Sequence, residues 1–369
     1  MSKTLRALGL MSGTSMDGIS VALIDTDGED NVVRGPSQVF PYNSSERQAI
    51  STAMAEARHL ENRFSRTDIL ANVEEMITKL HAIAVQNFIY TQKLSLDEID
   101  VVGFHGQTVL HRPERSLTAQ LGDGPFLSEL TGLKVVYDLR ARDVAAGGQG
   151  APLVPVYHRA LVSRLNKEPL VLLNIGGVAN ITFIACDGDM LAFDTGPGNA
   201  LIDDWMMKKV GYPYDPEGQT AAKGTINEDV VRFFLSNPFF QKPPPKSLDR
   251  NAFDENAYEW MSLEDGAATL TAFTCEAIAK AQEYLPESPK IWITCGGGRK
   301  NSFLIKKLSE RVSGSVLVAE NFGLDGDSVE AEAWGYLAVR ALKGLPITFP
   351  GTTGVDKPLS GGVVCVPKS

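Results

Sequence analysis

The chain has 369 residues, of which 43% are hydrophobic and 22% charged, and its formal net charge is −10. A length of this order suggests two domains of ordinary size, each able to bury a core. The acidic balance, without any Lys/Arg-rich run, argues against nucleic acid as a partner, and no apolar run approaches the ~18–20 residues that span a bilayer.

In chain order, residues 5–12 (LRALGLMS) and 19–26 (ISVALIDT) read as strands joined by the turn GTSMDG. The first apolar patch is broken at once by Ser12, Gly13, Thr14 and Asp17, which fits a first strand rather than a signal peptide. Residues 46–62 and 67–92 read as helices, and IDVVGFHG (99–106) as a buried strand ending in glycine. A short helix (125–132) and a strand (133–140) follow, then the small, Gly-rich DVAAGGQGAP (143–152), which reads as a linker. The expected domains are therefore 1–142 and 143–369, with the C-terminal segment free to return to the first.

The second half repeats the style. Strands are expected at 169–177, 179–186 and 189–196, a helix at 199–210, and helices at 226–236 and 264–284. KIWITCGGG (290–298) is a strand running into three glycines; a helix at 301–312 has Asn301 as its N-cap, a strand follows at 314–321, and a helix at 327–344 has Asp327 or Ser328 at its start. Each half opens with strand, tight polar turn, strand, and later has a buried strand ending in glycine. The pattern is one βββαβα-type domain used twice. Cys186, Cys275, Cys295 and Cys365 make no CxxC pair and no metal spacing, so they read as buried thiols of a reducing compartment.

Two turns stand at matching places, SGTSMDG (12–18) and NIGGVAN (174–180). Gly13, Gly18, Gly176 and Gly177 let the backbone approach a ligand, and Ser12, Thr14, Ser15 and Asn174 add polar side chains. Paired, they suit the phosphates of a nucleotide held by N–H groups, a device open to an acidic protein. Singly, each is an ordinary Gly hairpin. Gly296, Gly297 and Gly298 offer a flat surface for an adenine or ribose. Neither the P-loop pattern nor a clean GxGxxG is present. In FDTGPGN (193–199), Asp194 ends a strand, and Gly196 and Gly198 clear the space before it. It is either a base or the cap of the helix that starts near Asn199.

GLMSGTSMDGISVALID, GFHGQTVLHRP, DLRARDVAAGGQGAPLVPVYH, LLNIGGVANIT, FDTGPGNALIDDW, PKSLDRN and CGGGRKN together resemble the 1,6-anhydro-N-acetylmuramate kinases, from about residue 7 to the C-terminus. That family belongs to the actin-like, sugar-kinase and heat-shock-chaperone ATPase superfamily. The resemblance implies an α/β fold of two duplicated actin-like (ribonuclease H-like) domains, mixed sheets flanked by helices, with nucleotide and sugar in the interdomain cleft. It implies a cytoplasmic enzyme of peptidoglycan turnover that hydrolyses the 1,6-anhydro ring of its sugar and phosphorylates O6 with ATP.

Carried over by motif, the resemblance makes Asp194 the base that deprotonates water. It turns Glu330 towards that water, although a first-turn Glu also suits a helix dipole. It gives Asp17 to the nucleotide side, where a sugar hydroxyl or a metal-bound water is its contact. It gives His105, Gln107, Gly196 and Asn199 to the sugar, and Arg140 or Arg142 to the lactyl carboxylate, since an Arg fork matches a carboxylate. Ala141 and the pair Leu248–Asp249 depart from the family's usual residues. No protein metal site is expected, because His105 and His111 lack zinc-ligand spacing; Mg²⁺ arrives with ATP. The expected partners are a small-molecule sugar and ATP, with no nucleic acid and no membrane, and a homodimer is admitted. The rival readings are another actin-like ATPase or sugar kinase with a different substrate, and a plain glycosidase using Asp194 and Glu330.

Overall fold

The structure is a computed structural model and describes residues 3–13, 16–163, 165, 168–248, 253 and 257–368. The chain opens with three antiparallel strands in series, β1 (Leu5–Ser12), β2 (Gly18–Thr26) and β3 (Val32–Pro41). Helices α1 (Ser44–Ala57) and α2 (Asp68–Gln92) follow, each started by a polar side chain: Asn43 accepts from Glu46 N and Thr67 from Leu70 N. β4 (Val101–Arg112) lies parallel to β1 and turns back into β5 (Leu117–Leu121). Then come α3 (Gly124–Thr131), β6 (Val135–Tyr137) parallel to β4, and the short α4 (Ala141–Ala145) and α5 (Pro155–Val162).

The pattern restarts with β7 (Leu170–Ile175), β8 (Val178–Ile184) and β9 (Met190–Pro197), again antiparallel in series. Helices α6 (Ala200–Val210), α7 (Glu228–Leu235) and α8 (Leu263–Lys280) lead to β10 (Ile291–Cys295), parallel to β7. After α9 (Ser302–Ser309), β11 (Ser315–Val318) pairs parallel with β10. The chain ends with α10 (Val329–Leu342), α11 (Pro350–Thr353) and β12 (Val363–Cys365), which pairs with β6.

The two sheets share one order. The first runs β12-β6-β4-β1-β2-β3 with β5 beside β4, and the second β11-β10-β7-β8-β9. Apart from β12 and β5, both are an antiparallel triplet whose first strand is extended by two parallel strands. This is the duplicated actin-like α/β architecture with mixed sheets. Two compact units result: Met1–Ser163 with Ser328–Ser369, and Arg164–Asp327. Each has its own apolar core, around Leu8, Val21, Val85 and Phe104 in the first and Val171, Phe183, Trp205 and Phe273 in the second.

In the first unit α10 lies directly on the sheet. A Cβ at Gly9 would come within 1.8 Å of Ala331 O, and one at Gly103 within 2.0 Å of Trp334 O. Glycine is needed at both strand positions because the helix backbone occupies the space of a side chain.

Several expectations need correction in detail. No residues are assigned from sequence to the antiparallel strands β3 and β5; β3 is an edge strand containing Gly35-Pro36, which an edge tolerates. Only Val135–Tyr137 of the strand expected at 133–140 is extended. The 143–152 stretch is tied down rather than loose: buried Asp143 accepts from Gly150 N (2.6 Å) and Thr353 Oγ1 (2.7 Å). Of the cysteines, Cys275 and Cys295 are buried, Cys365 is half-buried and Cys186 is exposed.

Candidate active site

Asp194 lies on β9, where its register with Asn180 follows a bulge in the β8–β9 ladder. It does not cap α6; the N-cap position is Asn199. Its carboxylate Oδ2 accepts from Leu248 N at 2.9 Å, and its own N–H donates to Lys246 O at 3.0 Å. A strap at 246–248 therefore grips the residue from both sides. Burial pushes the carboxyl up to about 6, against the pull of the Leu248 N–H. A carboxylate so tuned is still ionised at neutral pH and is a better proton acceptor than a surface one.

The β7–β8 turn follows the same unit's sheet. A Cβ at Gly176 would meet nothing nearer than 3.6 Å, one at Gly177 nothing nearer than 3.7 Å, and one at Gly297 nothing nearer than 3.7 Å. No protein atom demands glycine at these three positions, so each leaves backbone open to an outside group. Other glycines answer to the fold: Gly296 has φ 73° and would strike Asn174 Oδ1 at 2.4 Å, Gly298 would strike Ile175, Gly196 would strike Ala277, and Gly198 would strike Gly176 O. Beside Gly297 opens a cavity of about 530 Å³ lined by Asn199, Ile202, Asp203, Tyr214 and Asn301. Its size suits a nucleoside. Arg299 fixes the glycine loop below it, donating to Gly296 O (2.9 Å), Glu320 (2.8 Å) and Asp327 (2.8 Å). Asp327, held by Arg299 and Lys300 and lowered to about 2, is thus a loop anchor and not the cap of α10.

In the first unit, the β1–β2 turn is braced from below. Ser12 is fully buried; its Oγ donates to Gln107 Oε1 (2.6 Å) and so accepts from the Tyr42 hydroxyl (2.8 Å). Gln107, also without exposed surface, spends its amide on Gly13 O (3.2 Å). Gly18 serves the sheet, since a Cβ there would lie 2.4 Å from Phe40 O. Asp17 is exposed on the turn. Thr14 and Ser15 lie outside the described residues.

His105 is buried, and both ring nitrogens are occupied. Nδ1 donates to Ser12 O (3.1 Å), which leaves Nε2 to accept from Arg140 (3.1 Å). Burial, reinforced by the Arg140 charge, holds its pKa well below the usual value, so the ring is neutral. Arg140 also donates to Gly150 O (2.7 Å) and stacks over Trp334 at 5.1 Å. Burial lowers it to about 10, with Glu330 and Asp143 pulling the other way, so it keeps its charge. Arg142 is exposed and bonds Ser360 Oγ at 2.9 Å. Glu330 stands in the first turn of α10, its carboxyl raised by burial and lowered by Arg140. The residue nonetheless keeps exposed surface. Structure thus brings Ser12, Gln107, His105, Arg140 and Glu330 into one electrostatic neighbourhood, and leaves Arg142 outside it.

The family model for Anhydro-N-acetylmuramic acid kinase matches residues 5–367. The chain belongs to the anhydro-N-acetylmuramic acid kinase family. It is 51% identical to the family member of Bradyrhizobium diazoefficiens and 50% identical to that of Methylobacterium nodulans, each alignment covering 98% of this chain and 100% of the relative. The member from Rhodopseudomonas palustris is likewise 50% identical, with the same coverage. Likeness to solved structures is weak. The activator of the 2-hydroxyisocaproyl-CoA dehydratase from Clostridium difficile with bound ADPNP gives a TM-score of 0.43 at 12% identity, covering 92% of this chain and 96% of that one. The fold assignment rests on the repeated sheet order instead.

Within this kinase family frame, four contributors escaped the sequence. Glu332 is buried at 1% exposure and bound by Arg34 through two nitrogens, by Tyr157 Oη (2.7 Å) and by Ser328 Oγ (2.9 Å). This network fastens the first turn of α10, and with it Glu330. Trp334, Arg299 and Lys246 are the others. Trp334 stands four residues after Glu330, so helical spacing was a usable signal for it; Glu332, two residues on, lies on another side of the helix, and the partners of Arg299 and Lys246 are too remote in sequence to be read.

Among the described residues no group of three or more His, Cys, Asp or Glu is placed to hold a metal ion, and no helix is long and apolar enough to cross a membrane.

Proposed function

We propose that this kinase hydrolyses the 1,6-anhydro ring of 1,6-anhydro-N-acetylmuramic acid and phosphorylates O6 with ATP, giving N-acetylmuramic acid 6-phosphate in cell-wall recycling in the cytoplasm. The observation that carries the reading is Asp194: a partly buried carboxylate, raised to about 6, capping no helix and held by a backbone strap. Its Oδ1 receives no protein donor among the described residues and is free for a water proton. Asp194 takes that proton as water attacks C1. The freed O6 then attacks the γ-phosphate in line, a step governed by positioning and charge neutralisation.

Gly176, Gly177 and Gly297 leave backbone open for the nucleotide, whose base and ribose fit the cavity beside Gly297. Gly13 and the exposed Asp17 serve the phosphates from the first turn. Mg²⁺ would come with the nucleotide, offsetting phosphate charge; the exposed Asp17 is the acid we assign to it through a bound water. Arg140, charged and aligned by His105, holds the sugar's lactyl carboxylate, and Glu330 orients the attacking water. Gln107 braces the first turn, accepting from Ser12 Oγ and donating to Gly13 O.

The test is product formation, followed by ³¹P NMR, from purified protein with ATP, Mg²⁺ and the anhydro sugar, omitting each in turn. Dependence on all three is expected. Turnover of the sugar without ATP would favour a glycosidase, and ATP hydrolysis indifferent to sugar an actin-like ATPase of another role.

A further inference from the structure

Lys246 belongs to the PKSLDRN segment, yet its ammonium does not face outward. It sits in a box of three rings, with Nζ 4.3 Å from the Tyr284 centroid, 4.8 Å from Phe239 and 5.7 Å from Phe193, and 3.4 Å from Phe239 O. Tyr284 is itself pinned, its hydroxyl donating to Phe240 O at 2.6 Å. Phe193, one wall of the box, directly precedes Asp194. The backbone of Lys246 accepts from Asp194 N, and two residues on, Leu248 N donates to Asp194 Oδ2. Apart from these bonds the strap is an irregular segment, in no helix or strand. A cation over several ring faces is a strong local anchor when partly desolvated.

We propose that Lys246 is a positioning residue for the reaction: seated in the Phe193–Phe239–Tyr284 box, it clamps the strap whose Leu248 N–H holds Asp194 Oδ2 and leaves Oδ1 to the water. This rests on Asp194 being the base. Partial burial and nearby Lys280 depress the ammonium to about 8, with Glu283 pulling the other way, so it remains mostly charged at neutral pH. Removing the clamp frees the strap, removes a hydrogen bond to the carboxylate and lets the carboxyl rotate.

The experiment compares Lys246→Ala, Lys246→Met and Lys246→Arg with the parent over pH 5–9, measuring kcat, KM for sugar and KM for ATP. Lys246→Ala is expected to lose about 10- to 100-fold in kcat, the range for a lost hydrogen bond to a charged group. Its KM for ATP should be unchanged, and the acid limb of its kcat profile should move to higher pH. Lys246→Met keeps the stem and the fold and should show the same changes in smaller degree, while Lys246→Arg, which also stacks on rings, should restore most of the rate. In an Asp194→Asn background, Lys246→Ala should cost nothing further. A parental kcat and pH profile in both the Ala and Met variants would overturn the clamp. So would a loss confined to KM for sugar, or an additional loss in the Asp194→Asn background. A parental rate in Asp194→Asn alone would instead remove the base itself, a separate result.

Discussion

Asp194 carries opposite demands from folding and from chemistry. Its folded-state pKa of about 6 lies above the ordinary 3.8. A raised acid binds its proton more tightly in the folded chain, so the stability it adds is fully present below pH ~4 and is lost as pH rises through about 6. Near neutrality the ionised carboxylate is therefore a load on the fold and an asset to the reaction. Asp194→Asn should be more stable than the parent at pH 7, by up to about 3 kcal/mol for a gap of about two pH units, with the gain shrinking towards pH 4. The same variant should lose about 10²–10⁴ in kcat and keep its dissociation constants for sugar and ATP within a few-fold. Thermal melts across pH, beside binding titrations, measure both halves. The parental kcat should fall on the acid side with a midpoint near 6, since protonated Asp194 cannot accept a proton. At this scale the motif made Asp194 legible, because its neighbours are small and local. Burial is not local: His105, Gln107 and Gly18 carry suggestive residue types, but their partners Ser12, Gly13 and Phe40 come from distant parts of the chain.

The helix α10 shows how an element delivers a functional side chain. Its first turn is held by Glu332, bonded to Arg34 on β3, to Tyr157 on α5 and to Ser328. Its middle is pressed onto β1 and β4 at Gly9 and Gly103. Glu330 and Trp334 project from a helix with little freedom to shift. Glu332→Ala would remove the carboxylate that Arg34 and Tyr157 bind in a mostly buried place, and breaking such a pair costs about 3–5 kcal/mol. A melting temperature lowered accordingly is expected, with a fall in kcat larger than any change in KM for ATP. By contrast Gly176→Val should leave the melting temperature of the free protein near that of the parent, because open space awaits the side chain, while calorimetry shows nucleotide binding largely lost. Wild-type nucleotide affinity in that variant would make the NIGG turn a plain hairpin. Helices with caps and periodic apolar faces, such as α2 and α9, were legible in sequence. The strands β3 and β5 were not, because an edge strand with Gly-Pro and a five-residue return strand have no distinctive period.

The whole chain is two copies of one sheet order, but the copies are not laid end to end. Residues 164–327 form a unit with a continuous chain, its own five-stranded sheet and its own core. The other unit is assembled from 1–163 and 328–369. The duplication was visible in the sequence as a repeated strand-turn-strand opening; the return of the C-terminal segment depends on which face α10 buries, and its unbroken apolar run from Ala333 to Val339 fits either sheet. This asymmetry makes a prediction about folding. The segment 164–327 alone lacks none of the strands of its sheet and should show a cooperative thermal transition with near-UV ellipticity from Trp205 and Trp292, both buried in that unit. The segment 1–163 alone lacks α10, which covers Gly9 and Gly103, and β12, which pairs with β6. It should lack a cooperative transition. Joining 1–163 to 328–369 through a flexible linker should restore one, because Trp334, Leu337 and Ala338 again cover the sheet and Glu332 again meets Arg34. A cooperative transition in 1–163 alone would mean that α10 is an accessory to that sheet, and Glu330 would then be placed by something other than the core beneath it.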